Sequence, residues 1–144
     1  MKTVREILHV KGNDVWSISP DATVYDALTM MAEKEVGALL VLEGGHIRGI
    51  ISERDYARKV ILKGKFSKDV PVREIMIERV LYVRPSQTVE ECMALMIDKR
   101  VRHLPVIEDG RILGIISIGD VVKALITEKE HLIEELENYI IGRR

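Results

Sequence analysis

Two segments hold residues whose types and spacing can do chemistry: Gly49-Ile50-Ile51-Ser52-Glu53-Arg54-Asp55 and Gly114-Ile115-Ile116-Ser117-Ile118-Gly119-Asp120. In each, an apolar β-branched run reads as a strand that ends at a serine and passes into a helix. A helix N-terminus presents N–H groups and the positive end of the helix dipole, which suits a phosphate. The serine hydroxyl adds a donor, and an aspartate one turn later can accept both hydroxyl protons of a ribose diol. Gly49 and Gly114 remove the Cβ where a flat ring would approach the backbone. Ser-x-x-Asp is equally a capping box, the role read for Thr23 and Asp26.

A phosphate also needs cations, and these are placed unevenly. The first segment carries Arg54 and is followed by Arg58 and Lys59; the second has Ile118 and Gly119 at the corresponding motif positions. The second is instead preceded by Lys99-Arg100-Val101-Arg102-His103, where the earlier counterparts of Arg102 and His103 are the uncharged Gly37 and Ala38. The two sites should therefore differ in their affinity for phosphate. The plain alternative for Lys99 and Arg100 is a solvated helix end, where basic residues complement the dipole. His103 opens a strand, where a packed or edge histidine is the ordinary case. His9, His46, His103 and His131 lack metal-ligand spacing, so no metal site is expected.

The elements that position these residues occur twice. Pro20–Asp55 aligned on Pro85–Asp120 matches Thr23 with Thr88, Met31 with Met96, Leu39 with Leu104, Val41 with Val106 and Gly45 with Gly110. Gly49–Ser52 then matches Gly114–Ser117 without a break. Upstream, Val4-Arg5-Glu6-Ile7-Leu8 recurs as Val72-Arg73-Glu74-Ile75-Met76 in a shifted register, which places extra residues near Lys11–Asp14 in the first copy.

Each copy predicts a short strand (Val15–Ser19, Val80–Arg84), then a helix with apolar spacing. That spacing is Val24, Ala27, Leu28, Met31 in one copy and Val89, Cys92, Met93, Met96 in the other. Two apolar strands follow around Gly44-Gly45 or Asp109-Gly110, both hairpin signals, and a second helix begins at Ser52 or Ser117. The expected fold is α/β (α+β): two β-α-β-β-α repeats packed by pseudo-twofold symmetry, with an extended C-terminal helix. The expected divisions are repeat 1 over 1–62, a polar linker over 63–71, repeat 2 over 72–127 and a helical extension over 128–144. Neither repeat is large enough to be comfortable alone. Cys92 and Trp16 read as core, with Trp16 beside an adenine as the minority alternative.

The doubled unit ending in Gly-apolar-apolar-Ser-x-x-Asp resembles the cystathionine-beta-synthase (CBS) domain, and the tandem resembles a Bateman module, over about Val4–Leu125. The resemblance implies two clefts between paired repeats that take adenosine ligands: AMP, ADP, ATP, NAD or S-adenosylmethionine. Carried over, Asp55 and Asp120 hold ribose hydroxyls, Ser52 and Ser117 meet ribose or phosphate, and a basic residue at Arg100 points at phosphate. Arg54, Arg102 and His103 complete the expected ligand set. The resemblance also implies a homodimer and a regulated partner protein not named by the sequence. The function expected is regulatory nucleotide sensing, and the alternative is a ligand-independent interaction module.

Composition sets the remaining bounds. With 22 basic and 23 acidic residues the net charge is −1, so no basic excess points to nucleic acid. The sole cysteine permits no internal disulfide, in keeping with a reducing compartment. Apolar runs fall far short of a membrane span and no secretory h-region is seen, so a cytoplasmic protein is expected. No phosphate-binding loop, dinucleotide fingerprint or nucleophile elbow is present, and no enzymatic activity is expected. After Asp120 an amphipathic pattern runs through Val121, Leu125, Leu132, Leu136, Tyr139 and Ile140 to Gly142, which suits a partner helix or the chain's own body.

Overall fold

The structure, a computed structural model, describes residues 2–140, with the side chains of Tyr139 and Ile140 excepted. Gly142, the expected end of the last helix, lies outside the described residues. The chain runs α1 (Val4–Lys11), β1 (Ser17–Ile18), α2 (Val24–Lys34), β2 (Ala38–Glu43), β3 (His46–Ser52), α3 (Glu53–Lys59), a 3-10 turn (Ile61–Lys63), α4 (Val72–Ile75), α5 (Val89–Lys99), β4 (His103–Glu108), β5 (Arg111–Ser117) and α6 (Ile118–Ile140). Contacts divide it into two compact units, residues 15–80 and residues 1–14 with 81–144.

In the unit 15–80, β1 pairs parallel with β2, and β2 pairs antiparallel with β3. The apolar stripe of α2 covers the sheet, burying Val24, Ala27 and Met31 with Leu39, Val41 and Ile51. Thr23 and Asp26 form a complete capping box that starts α2. The start of α4 docks beside it: Val24 N donates to Val70 O at 2.9 Å and Val72 N to Ala22 O at 2.8 Å. Residues 63–71 thus lie inside this unit, with Val70 in its core.

The unit formed by 1–14 and 81–144 repeats the plan with α5, β4 and β5. Thr88 and Glu91 cap α5, and Val4 N donates to Gln87 O while Val89 N donates to Lys2 O, docking α1 as α4 is docked in the other unit. The repeated segment has therefore changed partners. Val4–Leu8 packs with the later strands and Val72–Met76 with the earlier ones.

The strand expected over Val80–Arg84 reduces to one parallel bridge, Val83 to Val106. The cause is Pro105. In the first copy Leu40 N donates to Trp16 O at 3.2 Å, but the position equivalent to Leu40 is Pro105, which has no N–H to offer Leu81. Val83 N still donates to Pro105 O, and Ile107 N to Val83 O, both at 2.9 Å, and there the ladder stops.

Both hairpins turn on paired positive φ values, 57° and 80° at Gly44-Gly45 and 52° and 75° at Asp109-Gly110, which suit the right-handed twist of the flanking strands. Cys92 is fully buried, and burial pushes its thiol up to about 11. Trp16 departs from expectation. It is 37% exposed rather than core: it stands just before the two-residue β1, and a ring this large is rarely enclosed completely. The Lys34 ammonium sits over the ring, 4.2 Å from its centroid.

Candidate functional site

The first motif sits where β3 becomes α3. Asp55 Oδ2 accepts from Ser52 N at 2.9 Å and from Ser52 Oγ at 3.1 Å, while Asp55 N donates back to Ser52 Oγ at 3.4 Å. Glu53 N donates to Gly37 O at 3.1 Å, so two N–H groups of the first turn are engaged internally. Asp55 is the one buried charged residue among the described residues. A buried carboxylate needs compensation, which the Ser52 donors and Lys59 supply. Lys59 Nζ lies 3.5 Å from Asp55 Oδ1 and donates to Ile75 O at 2.9 Å.

The second motif, from β5 into α6, has the same geometry. Ser117 N and Oγ donate to Asp120 Oδ2 at 2.8 and 3.0 Å, and Asp120 N donates to Ser117 Oγ at 3.2 Å. Ile118 N donates to Arg102 O at 2.8 Å. The cation here comes from α1: Lys11 Nζ donates to Asp120 Oδ2 at 2.6 Å and to Ile115 O at 2.7 Å. Burial raises the Asp120 pKa most among single influences. Donation from Lys11 and Ser117, together with the Lys11 charge, outweighs it and holds the carboxyl below its ordinary range. His103 faces Ser117 across β4–β5. Burial and then the Lys11 charge hold its imidazole below the ordinary histidine value; Arg102 adds to this and Asp120 opposes it.

The expected ligand residues thus fall into two sets. Arg102, His103, Ser117 and Asp120 gather at one end of β4–β5, while Ser52, Arg54 and Asp55 belong to the other unit. Arg54 is exposed on α3. Arg100 is exposed and caps α5 in the left-handed conformation at φ 55°, as Glu35 does for α2. Sequence reasoning offered Lys59 only as a cation for phosphate, not as the partner of Asp55, and did not place Lys11 in the site. Lys59 carried a signal, four residues after Asp55 on one helix face. Lys11 carried none.

The glycines do not face open space. A Cβ on Gly49 would lie 2.7 Å from Ile77 O, and one on Gly114 would lie 2.6 Å from Leu8 Cδ2. The close approach expected for a flat ring is taken up by the chain itself: α1 covers Gly114, and the residues after α4 cover Gly49. Beside Lys11, α1 and α6 enclose an open groove of about 900 Å3 whose lining includes Lys2, Arg5, His9, Asp120 and Lys123.

These paired strand–serine–helix units are those of a known family. The CBS domain pattern matches residues 4–62 and 72–127, and the chain belongs to the CBS domain family. It is 41% identical to the mitochondrial CBS domain-containing protein CBSX3 of Arabidopsis thaliana over 97% of this chain and 72% of that protein. Among solved structures, it is similar to a putative signal-transduction protein with CBS domains from Burkholderia ambifaria. The TM-score there is 0.85 at 50% identity, covering 88% of this chain and 95% of that one. It is also similar to a hexameric CBS-CP12 protein from bloom-forming cyanobacteria, with a TM-score of 0.76 at 34% identity over 85% and 70% of the two chains. CBS pairs are commonly regulatory modules that bind ligands or other proteins. No helix among the described residues is long and apolar enough to cross a membrane.

Proposed function

We propose that this chain is a non-catalytic sensor of an adenosine ligand, AMP, ADP, ATP or NAD, with S-adenosylmethionine as a further candidate, and that ligand binding changes how it engages a regulated partner. The observation that carries this reading is the matched pair of aspartates, each fixed by a serine at a strand–helix junction. The serine donors converge on Oδ2, which fixes the carboxylate's orientation and leaves Oδ1 as the acceptor for a ribose diol. Lys59 and Lys11 hold the carboxylates in their place. A ribose that takes Asp55 Oδ1 releases Lys59, and the released ammonium is then available to phosphate, whereas Lys11 shares Asp120 Oδ2 with the serine donors and can stay beside a ribose bound at Oδ1. Such an exchange gives the ligand different contacts in two states, which any ligand-driven shift requires.

The second reading is a ligand-independent interaction module. It is favoured by the capping boxes, which are complete without ligand, and by the covering of Gly49 and Gly114 with the chain's own residues.

Thermal unfolding with each adenosine compound separates the two. A ligand at about a hundred times its dissociation constant stabilises the native state by about 2.7 kcal/mol. The sensor reading expects one compound to raise Tm and the rise to disappear in Asp55→Asn or Asp120→Asn. If no compound moves the transition of the unaltered chain, the interaction module stands instead.

A further inference from the structure

We infer that the loop between Val60 and Val70 is a peripheral docking surface for an anionic lipid bilayer. This inference stands independently of the nucleotide reading. The loop is an excursion between two anchors, since Val60 and Val70 are both buried in the core of the unit 15–80. Its own backbone shapes it. Lys63 N and Lys65 N donate to Val60 O at 3.2 and 3.0 Å, Gly64 N to Ile61 O at 3.1 Å and Asp69 N to Phe66 O at 2.9 Å. Tyr25 N donates to Ser67 O at 3.0 Å, which fastens the loop to the start of α2.

The apolar side chains of this loop face water. Ile61, Leu62 and Phe66 are exposed by 54, 77 and 74%, and Phe66 is the sole phenylalanine of the chain. Basic residues surround them in sequence: Arg58, Lys59, Lys63, Lys65 and Lys68 lie within Tyr56–Lys68, which contains no acidic residue. Lys59 is committed to Asp55 and Ile75 O, and Lys68 lies over the Tyr25 ring, 4.8 Å from its centroid. Arg58, Lys63 and Lys65 make no ion pair or side-chain hydrogen bond among the described residues. Bulky apolar groups beside uncompensated cations are what an interfacial anchor requires.

Shape selects the bilayer over an acidic peptide. A peptide gains most where its anchor side chains enter pockets on the receiving surface. Here the anchors belong to this chain and stand out from it, the form that enters the boundary between headgroups and acyl chains. The whole chain has a net charge of −1, so attraction to an anionic surface is local to this face and turns it toward the lipid.

Flotation of the full chain with vesicles of phosphatidylcholine, alone or mixed with phosphatidylserine, tests this. The chain should float with the mixed vesicles and stay behind with phosphatidylcholine alone. Binding should be lost in 1 M salt, where the screening length falls to about 3 Å. Lys63→Gln with Lys65→Gln should weaken binding on the order of twentyfold, about fivefold for each lysine near the surface. Leu62→Ser with Phe66→Ser should remove it while near-ultraviolet circular dichroism stays unchanged, since neither side chain is in the core. No flotation with the mixed vesicles, equal flotation with both kinds, or binding that survives either pair of substitutions would overturn the inference. So would polyglutamate that binds as tightly as the mixed vesicles, which would assign the lysines to an acidic protein segment. A changed mass of the Leu62→Ser, Phe66→Ser chain in sedimentation equilibrium would also overturn it, because a second copy would then cover the loop.

Discussion

Lys11 Nζ lies 2.6 Å from Asp120 Oδ2, joining residues 109 positions apart. The contact exists because α1 packs with the later strands rather than with those that directly follow it. Lys11 also donates to Ile115 O, so the ammonium ties the end of α1 to both β5 and the start of α6. Both partners keep some solvent exposure, with side chains 34 and 25% exposed, so the pair is a modest contributor. Lys11→Met should lower stability by about 1 kcal/mol, measured by urea unfolding at neutral pH. The same substitution should raise the pKa values of both Asp120 and His103, since Lys11 depresses each. The His103 shift is readable by proton NMR titration, and an unmoved His103 would show that Lys11 does not act on it.

Acid should weaken the fold in two stages. His103 has its folded pKa below the unfolded value of about 6.5, so over the interval between them the unfolded chain binds more protons. Its contribution is complete above about pH 6.5 and is lost as the pH falls through the folded pKa. Asp120 is also depressed, so its contribution is complete above about pH 3.9 and is lost lower down. Urea midpoints should fall from neutral pH toward mildly acid pH, and His103→Asn should flatten that first stage only. An unchanged slope in the variant would assign the first stage to another group.

Gly49 and Gly114 are equivalent in the repeat yet should respond differently to a methyl group. At Gly49 the obstacle is a backbone oxygen, Ile77 O, which also accepts from Ile50 N at 3.0 Å and cannot easily yield. At Gly114 it is Leu8 Cδ2, the end of a side chain that can change rotamer. Gly49→Ala should cost about 3 kcal/mol and Gly114→Ala about 1 kcal/mol, the upper and lower parts of the usual overpacking range. Equal losses in chemical denaturation would contradict the contact geometry.

The fold was legible where local chemistry and repetition agree. Thr23 and Thr88 announced helix starts, Gly44-Gly45 and Asp109-Gly110 announced hairpins, and the matching of Gly49–Ser52 with Gly114–Ser117 announced a tandem. What stayed hidden depends on distant pairing. Nothing local to Val4–Leu8 reveals that it crosses to the other strands, so Lys11 could not be placed beside Asp120, nor Leu8 over Gly114. Pro105 was visible, but its effect on Leu81 follows only once the parallel register is known. Trp16 was misplaced because an apolar residue beside a short strand predicts a face, and not how much of so large a ring is enclosed.

Calorimetric titration of AMP, ADP, ATP and NAD into the unaltered chain, Asp55→Asn and Asp120→Asn tests the central claim most directly. The sensor account predicts saturable binding of at least one compound, with a heat signal that one aspartate variant abolishes while remaining folded. Titrations that show no binding of any of these compounds, or binding that survives both substitutions unchanged, would contradict it.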